Sequence, residues 1–293
     1  MTTLKQYALR VDARLDALLP DGASVVGDAM RYSVMAGGKR LRPAMLLAAA
    51  DMLGGAEEAL DFACAVEMIH TYSLIHDDLP GMDDDTMRRG RPTNHVVYGV
   101  GQAILAGDGL LNSAFEVMLN ASLKDKARAS RCLEAIAQIA RGAGVKGMIY
   151  GQCLDLDSEK HGVAEDRRED MLERIQHGKT ACMFIHPLRA ACCLCGAGEE
   201  ETRALSDYGA AFGLVFQATD DLLDVRGDAA EVGKTLGKDE KAGKLTCISV
   251  YGEEATRRRV ESEKARAIEV LEPFGARAAF FRELVDSMVD RTK

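Results

Sequence analysis

The chain has 293 residues, 47% of them hydrophobic, with 46 acidic against 37 basic side chains and a formal net charge of −9. That length allows one large domain or two ordinary ones with a substantial core, and the negative balance excludes an overall electrostatic attraction to nucleic acid or to an anionic membrane. Only 6 prolines, 5% aromatics and no tryptophan describe a helical rather than a β-rich chain, and no uncharged apolar run is long enough to span a bilayer.

Leu4, Tyr7, Val11, Leu15 and Leu18 recur at helical spacing, which predicts an amphipathic helix over residues 3–19 stopped near Pro20. This stretch is charged throughout and lacks the pattern of a secretory leader, so a cytoplasmic protein is expected. Ser24 caps a second helix that reaches Met35. Gly37-Gly38 ends it, and Lys39-Arg40-Leu41-Arg42-Pro43 follows, a basic loop ahead of a helix over Ala44–Leu53. Cations at a helix N-terminus suit a phosphate, with a solvated basic turn as the plainer alternative.

Glu57–Asp78 reads as a long apolar helix that delivers His70, His76 and a first acidic cluster, Asp77-Asp78-Leu79-Pro80-Gly81-Met82-Asp83-Asp84-Asp85. Proline and glycine end the helix inside it. The basic stretch Met87-Arg88-Arg89-Gly90-Arg91-Pro92-Thr93-Asn94-His95 comes directly after. It either neutralises the cluster as surface ion pairs or joins metal-bearing carboxylates in gripping one polyanion.

Further helices are predicted at Gly101–Ala121, Lys124–Gly142 and Val145–Asp157, with Gly144, Gly147 and Gly151 spaced for close helix–helix approach. Residues 158–168 read as a loop. Asp170–Gly178 and Thr180–Cys195 form a helix interrupted at Gly178-Lys179-Thr180, a break that turns polar groups toward a ligand. Glu199–Asp224 carries Phe216-Gln217 and a second cluster, Asp220-Asp221-Leu222-Leu223-Asp224, whose spacing places carboxylates on one helical face. Lys234, Lys238 and Lys244 follow in glycine-containing loops, then closing helices Glu253–Glu272 and Arg277–Asp290. The 8 cysteines have neither zinc nor disulfide spacing and read as small core residues of a reduced protein.

The expected architecture is all-α: one domain over residues 1–293, a single large helical bundle around a central cavity. Either acidic cluster alone reads as a solvated helix end, but two such clusters could face each other across that cavity. Carboxylates crowded in this way call for a hard divalent cation, and Mg²⁺ shared between carboxylates and substrate phosphates is the natural one. Met68, Ile69, Tyr72, Leu74, Phe212 and Phe216 lie on the two helices leading into the clusters. An apolar pocket with a diphosphate clamp at its mouth suits a hydrocarbon diphosphate; nucleotide chemistry would want a phosphate loop that the chain lacks.

GGKRLRP at 37–43, HTYSLIHDDLPGMDDDTMRRGRPTNH at 70–95, HGKT at 177–180 and GLVFQATDDLLD at 213–224 together carry a resemblance over nearly the whole chain. It resembles the trans-isoprenyl diphosphate synthases of the bacterial farnesyl/geranylgeranyl group. The resemblance implies the isoprenoid synthase type fold and head-to-tail condensation of isopentenyl diphosphate with an allylic diphosphate. It implies that Asp77 and Asp83 bind two of three Mg²⁺ ions and Asp220 the third, with Asp78, Asp221 and Asp224 in support. Arg88, Lys179 and Lys244, with Lys234 nearby, would hold the allylic diphosphate. Lys39, Arg42, His70 and Arg89 would hold isopentenyl diphosphate, and Thr180 and Gln217 would set oxygen dipoles beside the developing cation. A homodimer is the usual assembly.

In such enzymes the side chain five residues before the first aspartate floors the product pocket. Here it is Tyr72, with Ser73 beside it, and an aromatic floor favours the fifteen-carbon product, farnesyl diphosphate, over geranylgeranyl diphosphate. One departure is that Lys-x-Thr-Tyr-Pro is common where this chain has Lys244-Leu245-Thr246-Cys247-Ile248. A class I terpene cyclase would lack the Lys39/Arg42/His70 set and would not carry DDLLD. A non-catalytic partner subunit would have eroded aspartate motifs, and a calcium buffer would show an EF-hand loop.

Overall fold

The computed structural model describes residues 2–20, 22, 24–226 and 244–290. Helices account for nearly all of the regular structure: α1 (Leu4–Leu18), α2 (Val25–Val34), α3 (Leu41–Met52), α4 (Ala59–Asp77), α5 (Asn94–Tyr98), α6 (Val100–Lys124), α7 (Ala129–Ala143), α8 (Met148–His161), α9 (Arg168–Ile175), α10 (Cys182–Cys195), α11 (Glu199–Arg226), α12 (Cys247–Tyr251), α13 (Glu253–Glu269) and α14 (Ala279–Asp290). A π-helical turn, Gln176–Ala181, joins α9 to α10. Among the described residues the only strands are β1 (Met87–Arg88) and β2 (Arg91–Pro92), paired antiparallel. The all-α class is as the composition predicts, and no described helix is long and apolar enough to cross a membrane.

The chain divides into two compact units, residues 1–137 with 190–196, and residues 138–189 with 197–293. The first is built on α4, which is buried on nearly every side, as expected of a helix that is apolar all round. Helices α1, α3 and α6 pack against it. Within α4, Glu67 is 2% exposed and accepts from Arg40 Nη1 at 2.7 Å. Arg40 is itself 3% exposed, held in the left-handed region at φ 51°, and its remaining nitrogens donate to Asp12 at 2.8 Å and to the Val34 carbonyl at 2.6 Å. It is a structural clamp, because a buried charge persists only when its donors are satisfied. Helix α3 begins at Leu41 rather than Ala44, which moves Arg42 from the expected loop into the first helical turn.

The second unit is built on α11, whose Tyr208 and Phe212 stack at 5.8 Å and whose Tyr208 hydroxyl donates to the Phe281 carbonyl at 2.7 Å. The glycine spacing read from the sequence does bring backbones together. A Cβ on Gly151 of α8 would lie 2.0 Å from the Lys179 backbone nitrogen, and one on Gly213 of α11 would lie 2.7 Å from Ala181 Cα.

Several boundaries differ from expectation. The loop predicted over 158–168 is mostly ordered: α8 continues to His161 and a 3-10 turn occupies Glu165–Arg167, because Ser158 is buried and bonded back to the Asp155 carbonyl. The β1–β2 hairpin, α5 and α12 were not foreseen. The cysteines form no disulfide, and five of the eight are buried, but Cys153 is exposed and is no core residue.

Candidate functional site

In the first unit, α4 runs out at Asp77 and the chain turns back on itself. Asp78 N–H still donates to Leu74, Met82 N–H donates to Leu79, and Asp83 N–H donates to the Asp77 carbonyl at 2.9 Å. Gly81 supplies the positive φ of 99° that this Leu-Pro-Gly-Met turn requires. The turn returns Asp83 to the neighbourhood of Asp77, and both residues remain partly accessible. Asp78 behaves differently. It is 2% exposed, and its carboxylate receives the Arg88 guanidinium in a fork, with Nε at 2.8 Å from both oxygens and Nη2 at 2.6 Å from one.

The acidic and basic stretches therefore do pair, but inside the protein rather than as the surface ion pairs considered from sequence. Burial drives the Asp78 pKa upward more than Arg88 lowers it, and Asp77 and Asp85 push the same way. The Arg88 guanidinium stays charged.

Arg88 is positioned by the hairpin. Its two-residue turn, Arg89-Gly90, has φ values of 53° and 72°, both positive as a type I′ turn demands. The Arg89 guanidinium donates to the Gly37 carbonyl and covers Gly38 so closely that a Cβ there would meet its central carbon at 2.7 Å. Arg91 stacks over the Tyr32 ring at 4.3 Å, and the Tyr32 hydroxyl donates to the Pro92 carbonyl at 2.8 Å. Asn94 anchors the following residues, donating to the Ala29 carbonyl and to Ser33, each at 2.8 Å.

His70 lies in the field of Arg42, Arg89, Arg88 and Arg40, and burial together with these cations holds its pKa well below the ordinary value. The structure thus gathers Arg42, His70 and Arg89, while Lys39 sits exposed on the loop between Gly38 and Arg40. A neutral imidazole amid arginines makes stability depend on pH. Below about pH 6.5 the unfolded chain binds a proton at His70 that the folded chain refuses, so this contribution is present above 6.5 and declines by at most about 1.4 kcal/mol per pH unit as pH falls. The difference in Tm between the unmutated chain and His70→Asn is expected to shift in favour of the variant from pH 7 to pH 5. Curves that stay parallel would refute the assignment.

In the second unit the predicted helix break at Gly178-Lys179-Thr180 is the π-helical turn, a local insertion often found at functional sites. Lys179 Nζ donates to Asp155 at 2.6 Å, and Asp155 is 6% exposed. Thr180 Oγ1 donates to Gln217 Oε1 at 3.0 Å, and Gln217 Nε2 donates to Asp221 Oδ1 at 3.0 Å. Asp221 is buried while Asp220 and Asp224 are partly accessible, so in the leading pair of each cluster, Asp77-Asp78 and Asp220-Asp221, the second aspartate is the one turned inward. Lys244 Nζ lies 3.4 Å from Glu159. Lys234 and Lys238 fall outside the described residues. Asp155, Glu159 and Cys247 are the partners that sequence reasoning missed or left open, since each acts across a long sequence separation.

Among the described residues no three carboxylates, histidines or cysteines form a ready-made cation cage. Paired, partly accessible aspartates with hard oxygen donors nonetheless fit Mg²⁺, which binds through one or two carboxylates and leaves its other positions to water and substrate phosphates.

Residues 23–276 match the family model described as polyprenyl synthetase. The chain belongs to the polyprenyl synthetase family. Among curated proteins it is similar to heterodimeric geranylgeranyl pyrophosphate synthase large subunit 1, chloroplastic, of Arabidopsis thaliana, with 43% identity over 249 residues covering 84% of this chain and 67% of the relative. Geranylgeranyl pyrophosphate synthase 3, chloroplastic, of the same plant is 43% identical over 273 residues, covering 91% of this chain and 75% of the relative. Among solved structures, an FPP/GFPP synthase from Zymomonas mobilis superposes with a TM-score of 0.84 at 32% identity, covering 98% of this chain and 97% of that one. A geranyltransferase from Legionella pneumophila superposes with a TM-score of 0.86 at 29% identity, covering 99% and 96%. As a polyprenyl synthetase the chain is a trans-prenyltransferase, an enzyme of isoprenoid synthesis with the all-α fold of that family.

Proposed function

We propose that this polyprenyl synthetase condenses isopentenyl diphosphate with C5 and C10 allylic diphosphates and releases mainly farnesyl diphosphate, with residues 1–293 acting as one catalytic domain. The C1–O bond of the allylic substrate breaks and its electron pair leaves with diphosphate. The isopentenyl double bond supplies the pair for the new carbon–carbon bond, and loss of a proton from the adjacent carbon regenerates an allylic diphosphate. Arg88, Lys179 and Lys244 hold the allylic diphosphate, with Lys234 assigned to the same group, and Lys39, Arg42, His70 and Arg89 hold isopentenyl diphosphate. Thr180 and Gln217 turn oxygen dipoles toward the cation. Three Mg²⁺ ions, assigned to Asp77, Asp83 and Asp220, would neutralise the charge that grows on the departing diphosphate.

The observation that carries the product length is the packing of Tyr72. It is 7% exposed, its ring stands edge-on to His76 at 5.7 Å, and His76 fills the space over Gly107 of α6 so closely that a Cβ there would meet Nε2 at 2.1 Å. A floor braced against a backbone does not yield to a growing chain. Incubation with labelled isopentenyl diphosphate and C5, C10 or C15 starters, products separated by chromatography, is expected to give C15 and little beyond. Tyr72→Ala is expected to pass C15 on to C20 or longer; unchanged lengths would remove Tyr72 as the floor. The relatives named as geranylgeranyl synthases favour a second reading, in which the unmutated enzyme itself makes C20.

The assembly we propose is a homodimer. Val100, Ile104, Leu119 and Leu123 are exposed along one broad side of α6, apolar surface that a second copy would cover. Light scattering coupled to gel filtration tests this, with a mass of one chain as the contrary result.

A further inference from the structure

The described part of the second unit contains a chain of hydrogen bonds that ends at an aspartate. Thr180 Oγ1 donates to Gln217 Oε1 at 3.0 Å, and Gln217 Nε2 donates to Asp221 Oδ1 at 3.0 Å. The other Asp221 oxygen receives the backbone N–H of Cys247 at 2.7 Å, and the Cys247 sulfur receives Gln176 Nε2 at 3.0 Å. Cys247 opens α12, whose capping box between Thr246 and Ser249 fixes the direction of that N–H. Gln217 and Asp221 sit four residues apart on α11 and so share a face.

A primary amide can present either its oxygen or its NH₂ to a given neighbour, and packing alone rarely decides between them. An ionised carboxylate accepts and never donates. Asp221 therefore forces the Gln217 NH₂ toward itself and the Gln217 oxygen toward Thr180. That orientation aligns the two oxygen dipoles at the π-helical turn; the reversed amide would place N–H donors there and oppose a positive charge.

We infer that Asp221 is a positioning residue that sets the amide orientation of Gln217, with the start of α12 holding Asp221 in turn, rather than a direct metal ligand. The activity readouts rest on the prenyl-transfer reading, whereas the orientation itself has a readout that needs no turnover.

Asp221→Asn is expected to lower kcat by about 10- to 100-fold, with KM for both diphosphates and the Mg²⁺ concentration for half-maximal rate changed less than about 2-fold. In a Gln217→Leu background the same change is expected to add less than about 2-fold, because residues acting through one bond are not additive. A shift in the Mg²⁺ requirement with additive losses would make Asp221 a metal ligand and overturn the proposal. The decisive variant exchanges donor and acceptor across the bond. Gln217→Glu sets two carboxylates against each other and is expected to be nearly inactive. Combining it with Asp221→Asn restores a donor facing an acceptor and is expected to recover at least about 10-fold of the rate. No recovery in a double variant that folds, as judged by its thermal transition, sinks the idea.

The Gln217 side-chain amide protons provide a measurement independent of catalysis. They should exchange slowly in the unmutated chain and lose that protection in Asp221→Asn; equal exchange in both would refute the bond. If the unmutated chain fails to consume isopentenyl diphosphate, the functional reading falls while this readout still judges the orientation.

Discussion

Gly151→Ala is expected to destabilise the protein by about 3 kcal/mol and to lower kcat/KM by roughly 100-fold or more. On intrinsic propensity alone the sign would be opposite, since alanine is favoured over glycine in a helix by about 1 kcal/mol. Here the added methyl would lie 2.0 Å from the Lys179 nitrogen, 2.6 Å from the Gly178 carbonyl carbon and 2.7 Å from Lys179 Cα. All three are backbone atoms, so no side chain can swing aside, and overpacking of this kind typically costs about 1–3 kcal/mol or more. The turn that must give way carries Lys179 and Thr180, and a displacement of about 1 Å at positioned groups costs on the order of 100-fold in rate. Gly101→Ala is the matched control. It lies in α6 with open space around its Cβ position and is expected to be neutral or slightly stabilising. Thermal unfolding and initial rates of both variants decide the matter; a Gly151→Ala enzyme as stable and active as the control would show that α8 and the turn are not held in this contact.

What the sequence reveals here depends on how far each interaction reaches along the chain. Helix phase and caps are local, so α1, α2 with its Ser24 cap, the long α4 and α11 were legible, as was the break at Gly178-Lys179-Thr180. The spacing of Gly144, Gly147 and Gly151 signalled a close approach, but not that the partner was the Lys179 backbone. The hairpin carried a readable signal in Arg89-Gly90, two residues that reach positive φ, yet its strands are too short to show alternation. The capping box between Thr246 and Ser249 that starts α12 went unread in the same way, because the helix it opens is only 5 residues long.

The resemblance set the members of each acidic pair apart, but the physical cause of their inequality was not legible in the residues themselves. Asp77 and Asp78 are neighbours of the same residue type, and only Arg88, 10 positions on, makes one of them inward. Asp221 differs from Asp220 through a backbone N–H 26 positions away. Arg40 illustrates the same limit: its basic neighbours suggested a phosphate loop, while its partners Asp12 and Glu67 lie 28 and 27 positions off.

Arg88→Met is the second large effect, and its pH dependence distinguishes a buried charge pair from a surface one. Removing the guanidinium leaves the Asp78 carboxylate without its fork in a site 2% exposed. Breaking a buried pair from one side costs about 3–5 kcal/mol, against about 0–1 kcal/mol for an exposed pair. Asp78 is already pushed toward a higher pKa by burial, and loss of Arg88 drives it further up. A carboxyl whose folded pKa exceeds its unfolded value binds more protons folded than unfolded, so stability falls as pH rises through that window. The variant is therefore expected to lose most stability at pH 8 and to recover part of it by pH 5, as the carboxyl becomes neutral. Adding Asp78→Leu should restore stability at pH 8, since replacing both partners with apolar groups is often close to neutral. On the proposed role of Arg88 at the allylic diphosphate, it should not restore turnover, which is expected to remain about 100- to 1,000-fold down. Guanidinium titrations at both pH values and steady-state rates separate these outcomes. Equal stability loss at pH 5 and pH 8 would mean that Asp78 is not carrying a buried charge.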